Sequence, residues 1–199
     1  KQQKDNAILL DNAAELRAKM EDLRKTRTLK LLKEALLEVM TKKSFEEIKI
    51  NDICNVAMVH RTTFYSHFDD KYDLLEYCIK EAEKEITEKM EPENYTSIQE
   101  FYTNMIMALV CYIEGNKEKF KAMLIKNDNT SFYKMFNSTC VLYIYKMLQK
   151  EEKNGVKHEV PINLVAEFYA GAVISSVTYW IKDSSGMTPQ ELCDHLIKL

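Results

Sequence analysis

The sequence is poor in residues that make tight turns, with four glycines and three prolines in 199 positions. A sheet-rich fold of that length needs many sharp reversals, and Gly and Pro make them at low steric cost. Their scarcity points to long helices. Cysteine is present but unpatterned: Cys54, Cys78, Cys111, Cys140 and Cys193 are odd in number and widely spaced. No C-x-x-C pair or Cys/His cluster has zinc-ligand spacing, so the thiols are expected to lie buried or half-buried in a reducing cytosol. His60 and His67 are seven apart, and His158 and His195 stand alone; no metal site is expected. No signal-peptide pattern opens the chain, and no unbroken run of eighteen apolar residues occurs. The longest candidate, 164–181, is interrupted by Glu167, Ser175, Ser176 and Thr178, which suits a buried helix rather than a membrane span. Nucleophile elbow, Gly-rich phosphate loop, His-Glu-x-x-His and paired acids are all missing. The expectation is a cytoplasmic helical protein with no enzymatic role, no cofactor and no membrane association.

What is present begins with composition: 46% hydrophobic and 30% charged residues, enough for one sizeable core or a small domain and a larger one. The net charge is −3, yet it is unevenly spread. Between Arg24 and Tyr72 ten lysines and arginines stand against seven acids, so that segment is +3 and the rest −6. A mildly basic head on an acidic body suits a nucleic-acid-binding module joined to a domain that does not touch it.

Helical periodicity organises the chain. Leu9, Ala13, Leu16, Met20 and Leu23 alternate four- and three-residue steps, a stripe of about two heptads. It predicts an N-terminal helical extension, 1–23, that packs on its own protein or frays. Leu29, Leu32, Leu36, Val39 and Met40 line one face of a helix over 27–42, after which Phe45 and Ile48 return to the same core. Short helices follow at 51–58 and 61–67, then a longer one from Asp70 to about Met90, with Pro92 as the break. Further helices are expected at 97–114 (stopped by Gly115), 117–125, 131–153, 161–182 (ending before Ser184-Ser185-Gly186) and 188–199. The last opens Thr-Pro-Gln-Glu, so Thr188 and Glu191 can form a capping box. The predicted fold is all-α: an N-terminal three-helix helix-turn-helix domain at 24–72 and a C-terminal helical bundle at 73–199, with about nine to ten helices in all.

The informative stretch runs from Ile50 to Phe68. Ile50, Ile53 and Ala57 share one face of a two-turn helix, and Ala57 is small where a second helix must cross. Phe64 and Phe68, four apart, form the buried face of the next helix. Arg61, Thr62, Thr63, Tyr65, Ser66 and His67 then face outward or flank it. An Arg can hold guanine through two hydrogen bonds, and a Thr can touch the thymine methyl. Tyr65 and Lys71 are natural phosphate contacts, Lys71 in the first turn of a helix whose free N–H groups attract anions. His67 is expected to pack beneath the recognition helix or to bond backbone more than to read bases. Asp70 is placed as that helix's N-cap, with Asp73 at the third position, rather than as a catalytic acid.

The run Thr63-Phe64-Tyr65-Ser66-His67-Phe68-Asp69-Asp70-Lys71-Tyr72-Asp73-Leu74-Leu75 resembles the N-terminal domain of the TetR-type (tetracycline-repressor-like) regulators, whose signature is an aromatic–x–His–Phe step followed by Lys and a Leu-Leu pair. The match covers about fifty residues, Arg24 to Leu75. The resemblance implies a transcriptional regulator, generally a repressor, acting as a homodimer on a palindromic operator in double-stranded DNA. It places Thr62 and Thr63 at bases or adjacent phosphates, and Tyr65, Lys71 and Thr28, at the start of the first helix, on phosphate. It also implies dimerisation through the last two long helices and a small-molecule pocket whose occupation alters the spacing of the DNA-reading heads. Three positions depart from the pattern: Met58 stands where Gly is usual in the turn, and Lys49 and His60 replace the usual Thr and Ser caps.

For the pocket, an apolar or aromatic effector could be lined by Tyr102, Cys111, Phe120, Phe136, Cys140, Tyr143, Phe168 and Tyr169, although the same residues suit plain core or interface. For the dimer, the small residues Ala166, Ala170, Gly171 and Ala172 permit close helix approach. Phe168, Gly171, Ile174, Ser175, Trp180, Leu192 and Leu196 are the expected interface. A helical adaptor that uses the short helices for protein contacts is the competing reading.

Overall fold

The computed structural model describes residues 2–88, 98–127, 130–182, 186–196 and 198; the side chains of 2–14, 18, 98 and 99 lie outside that description. Among the described residues the chain is all α. Its elements are α1 (Gln2–Met40), a 3-10 turn (Phe45–Glu47), α2 (Ile50–Ala57), α3 (Arg61–Tyr65), α4 (Lys71–Thr87), α5 (Ile98–Glu114), α6 (Lys117–Lys126), α7 (Ser131–Lys153), α8 (Ile162–Lys182) and α9 (Pro189–Leu196), with no strand. The expected breaks at Met90 and Pro92, the start at Ser97, the Ser184-Ser185 end and the last residues Ile197 and Leu199 fall outside the described residues.

The chain divides into two compact units, one of residues 1–39 and 49–74 and the other of 40–48 and 75–199. In the first, α1 runs unbroken through the junction expected near residue 24. Arg24-Lys25-Thr26-Arg27 contains neither Gly nor Pro, so nothing there interrupts the i→i−4 ladder. Thr28 therefore does not open a helix; it sits far inside one, and its hydroxyl donates to the Arg24 carbonyl at 2.9 Å. Nor does the extension pack on its own protein where its side chains are described: Leu16, Met20 and Leu23 are 63%, 54% and 62% exposed. The buried apolar residues of this unit are Leu32, Ala35, Leu36 and Val39 of α1, Ile53, Cys54 and Ala57 of α2, Phe64 of α3, Phe68 and Leu74.

Phe45 and Ile48 are buried and group with Met40, the last residue of α1, in the second unit. One polar side chain ties this segment down. Asn127, which ends α6 and is 1% exposed, accepts the Phe45 N–H on Oδ1 at 2.7 Å. Its Nδ2 donates to the carbonyls of Met40 at 3.2 Å and Met123 at 2.8 Å. Nearby, Glu46 Oε1 takes both the backbone N–H and the hydroxyl of Ser131, at 2.9 and 2.8 Å. The 3-10 turn is thus tied to the junction of α6 and α7 through backbone groups that would otherwise be buried unpaired.

In the rest of the second unit α7 and α8 form the most extensive helix pair, with α9 on α5 and α6 on α8. One apolar core joins Phe101, Tyr102, Ile106, Val110, Ile144, Leu148, Ala170, Val177, Trp180 and Leu192. By length and composition α8 could cross a bilayer, but Ala166, Ala170, Val173, Val177 and Trp180 are buried in this core. The capping box at α9 forms as expected: the Glu191 N–H donates to Thr188 Oγ1 at 3.2 Å and the Thr188 N–H to Glu191 Oε2 at 2.8 Å. The Thr188 N–H and hydroxyl, both donating to Glu191 Oε2, hold that carboxyl below its ordinary pKa.

Replacing Asn127 by Ala strands two carbonyls and one N–H in the interior. Because an orphaned buried polar group costs about 1–3 kcal/mol, Asn127→Ala should lower the unfolding free energy by at least about 3 kcal/mol in urea melts. A loss below about 0.5 kcal/mol, the range of ordinary surface substitutions, would refute the tie.

Candidate functional site

The candidate nucleic-acid interface is built by α2, the turn after it and α3. Ile53, Cys54 and Ala57 bury one side of α2, and Phe64 is fully buried on α3 with Phe68 5% exposed just beyond it. The two rings lie 5.9 Å apart in a tilted arrangement, and Tyr65 meets the Phe64 ring edge-on at 5.6 Å. With that side sealed, Arg61, Thr62, Tyr65 and Ser66 are exposed, while Thr63 and His67 are half-buried. His67 sits against Phe68, ring centroids 6.5 Å apart, in keeping with a packing role.

Arg61 and Tyr65 form a unit on the exposed side. The Arg61 Nη2 donates to Tyr65 Oη at 3.0 Å, and the guanidinium lies 5.6 Å from the ring centroid. A fork of donors is thereby held along the helix instead of swinging freely, which lowers the entropy cost of fixing it on a ligand. Burial pushes the Cys54 thiol up, against the opposing pull of Arg61, so this thiol is not an activated nucleophile.

The turn carries the departure seen in the sequence. Met58 has φ 53 and ψ 42, the left-handed region, and is 89% exposed. Only glycine occupies that region without steric penalty. The caps behave as their residue types dictate. Lys49 and His60 are the N-cap residues of α2 and α3, and neither makes a side-chain cap bond. For α2 the deficit is partly met from inside the helix, where Asp52 Oδ2 accepts the Lys49 N–H at 2.9 Å.

At the start of α4 the expected cap is present: Asp70 Oδ1 accepts the N–H groups of Tyr72 at 2.7 Å and Asp73 at 2.9 Å. This changes the expectation for Lys71. The amides thought free to attract an anion are taken by Asp70, leaving the half-buried Lys71 ammonium, 5.5 Å from the Tyr72 ring centroid, as the cationic group there.

The C-terminal candidates separate. Phe136, Cys140 and Tyr143 of α7 line one small, open-sided chamber of about 60 Å³, with Ile79, Glu83, Ile86 and Thr87 of α4, Met105 and Leu109 of α5, Thr139 and Ile144 of α7 and Val173 of α8. Burial and the Glu83 carboxylate push the Cys140 thiol up to about 12. The other residues expected at a pocket do not line this chamber. Tyr102 and Tyr169 stack on each other at 3.9 Å, Phe120 packs on Tyr112, and Cys111 and Phe168 are exposed. Glu83 and the rest of the α4 lining were missed; the spacing of Ile79, Glu83 and Ile86 along one helix face was the available signal.

The expected interface divides as well. Phe168 is 69% exposed, Ser175 is exposed, and Gly171 and Leu196 are half-exposed. Ile174, Trp180 and Leu192 are 3%, 1% and 4% exposed inside this chain's own core, so they offer no surface to a second copy. Trp180 is further tied by Nε1 donating to the Met187 carbonyl at 2.8 Å and by Lys117 over its ring. Ala166 and Ala170 are likewise fully buried: the small-residue run lets α8 approach its own bundle. The outer side of α8 is instead Leu164, Phe168, Ala172, Ser175 and Tyr179.

Residues 32–78 match the model of the bacterial regulatory proteins of the tetR family, and residues 100–199 match a transcriptional regulator C-terminal region of the same group. The chain belongs to the TetR family of DNA-binding transcriptional regulators. A curated relative is the dhaKLM operon transcriptional activator DhaS of Lactococcus lactis, 20% identical over 148 residues, covering 73% of this chain and 75% of the relative. Among solved structures, a TetR transcriptional regulator from Streptococcus agalactiae covers 91% of this chain and 97% of its own, with a TM-score of 0.61 and 20% identity. FadR from Bacillus subtilis, in complex with stearoyl-CoA, covers 85% and 95% with a TM-score of 0.64 and 17% identity. Nothing found supports an adaptor.

Met58→Gly removes the left-handed strain, worth about 1–3 kcal/mol, at a backbone-entropy cost of about 0.5–1 kcal/mol. The variant should therefore unfold at higher denaturant, with a gain of about 1 kcal/mol. A loss of stability would mean that the Met58 side chain makes a contact outweighing its backbone.

Proposed function

We propose that the chain acts in the cytoplasm as a homodimeric repressor on a palindromic operator, placing α3 in the major groove. The observation behind this is the two-sided α3, with Phe64 fully buried on one side and Arg61, Thr62 and Tyr65 open on the other. Arg61 and Thr62 read base edges, and Thr63 supports the nearby backbone contact. Tyr65 and Lys71 hold phosphate, and His67 supports the helix from behind. Thr28, its hydroxyl returned to the helix backbone, contributes little. Activation is the second reading, favoured by the Lactococcus lactis relative, which is an activator.

The homodimer reading rests on the outer side of α8, where Leu164, Phe168 and Tyr179 are 60%, 69% and 63% exposed. Such a stripe on a helix whose other side is core fits a helix-pair seam. Two α3 helices brought together this way would meet half-sites one DNA turn apart, about 34–36 Å, or a multiple of it.

An effector is the remaining part of the reading. The chamber beside α4 is apolar, as effector sites commonly are. A ligand there would press on α4, the helix whose first turn carries Lys71. The stearoyl-CoA held by Bacillus subtilis FadR supports a small-molecule effector in this fold.

Two substitutions test the division of labour. Lys71→Ala should weaken binding to all duplexes alike and reduce the salt slope by about 1, whereas Arg61→Ala should relax preference at one base position with little change in slope. An unchanged slope in Lys71→Ala would remove the phosphate role. For the dimer, Leu164→Glu with Phe168→Glu should give a folded monomer by sedimentation, since both side chains are exposed. A dimer persisting in that variant would move the seam elsewhere.

A further inference from the structure

Sulfur collects where α9 packs on α5. Leu192 and Cys193 are the buried residues of α9, and the Cys193 thiol donates to Met107 Sδ at 4.0 Å. Met107 and Cys111 are four apart on α5, which sets their side chains on one face with about 5–6 Å between Cβ atoms. Cys193, 1% exposed, therefore lies against the strip of α5 that carries Cys111. Burial, then the nearby Cys111 and the Asp194 carboxylate, push the Cys193 thiol up. An electrostatic effect of one cysteine on another is felt only at short range.

Access divides the roles. Of the five cysteines Cys111 alone is exposed. Cys54 and Cys78 are buried, and the half-buried Cys140 is held back by burial and by Glu83, its thiol pushed up to about 12. Oxidation follows exposure and thiolate character, so an oxidant arriving from solvent meets Cys111 first. The thiol beside it is Cys193, which solvent does not reach. An exposed sulfur that can be oxidised, with a second sulfur next to it, is the arrangement that ends in a disulfide rather than in further oxidation.

We infer that Cys111 and Cys193 are a paired oxidation site, at which a peroxide converts the two thiols to a disulfide fastening α9 to α5. The Cys111 sulfur attacks one oxygen of hydrogen peroxide. An S–O bond forms, the O–O bond breaks, and the leaving hydroxide takes the thiol proton as water, so that Cys111 becomes a sulfenic acid. The Cys193 sulfur then attacks the Cys111 sulfur. The S–S bond replaces the S–O bond, and the second hydroxide leaves with the Cys193 proton as water. Two thiols are oxidised and one peroxide is reduced. In a reducing compartment such a bond is transient and reports oxidant.

The test treats the full chain with hydrogen peroxide and maps its peptides without reductant. The map should show Cys111 linked to Cys193, with two of the five free thiols lost and both recovered by dithiothreitol. In Cys193→Ser the sulfenic acid on Cys111 should persist and be captured by dimedone. In Cys111→Ser the same dose of peroxide should cost no thiol, because Cys193 is buried. Cys140→Ser should keep the link. If Cys193→Ser does not fold, the map of the unmodified chain decides together with Cys111→Ser, a change at an exposed position. Linkage of Cys111 to the same residue of a second copy, its conversion to sulfinic acid with no disulfide, a link between any other pair, or five thiols that survive the peroxide would overturn the inference.

Discussion

A helix of five residues has almost no stability of its own, because nucleating the first turn costs more than its few hydrogen bonds return. α3 holds its shape because Phe64 is fully buried and Phe68, one turn further on, is nearly so. That pair fixes which way the remaining side chains point. Arg61, Thr62 and Tyr65 are outward because the Phe side is inward, and the Arg61–Tyr65 bond then orders the exposed face. The weakly capped starts at Lys49 and His60 and the left-handed Met58 all subtract from local stability, and the apolar anchor is what tolerates them. DNA recognition in this family thus depends here on a packing constraint more than on helix propensity.

The second unit meets a related problem with one helix serving two sides. Ala166, Ala170, Val173 and Val177 of α8 are core, while Leu164, Phe168 and Tyr179 of the same helix remain uncovered within the chain. A helix apolar all round is normally buried all round, which is the physical content of the dimer proposal. The same unit holds the apolar, open-sided chamber lined by α4, α5, α7 and α8. Assembly and effector sensing would then share one bundle.

Much of this was legible in the sequence because helix periodicity and capping chemistry are local. Where the expected bounds fall among the described residues, the helices from α2 to α9 lie within a few residues of them, and the Asp70 and Thr188–Glu191 caps form as their spacing implied. The inward Phe64 and Phe68 followed from their four-residue step. What escaped was non-local. Asn127 bonds the backbone of residues more than eighty positions away, and no pattern around 127 announces that. Periodicity showed that α8 had two apolar sides but could not say which was core, so Ile174 and Trp180 were assigned to the wrong one. The run from Arg24 to Arg27 looked like a boundary by charge, yet charge does not break a helix, and α1 runs through it. The α4 lining escaped because Ile79, Glu83 and Ile86 on one helix face are ordinary until α5, α7 and α8 supply the rest of the chamber.

The central claim is that two copies of α3 read double-stranded DNA. Its most direct test is selection by the purified full chain from a random duplex pool, with sequencing of the bound fraction. The account predicts enrichment of an inverted repeat whose half-site centres are about 10–10.5 base pairs apart or a multiple of that, bound with an affinity that falls steeply as salt rises. A pool that emerges without any enriched motif, or one dominated by a single unrepeated site, would contradict it.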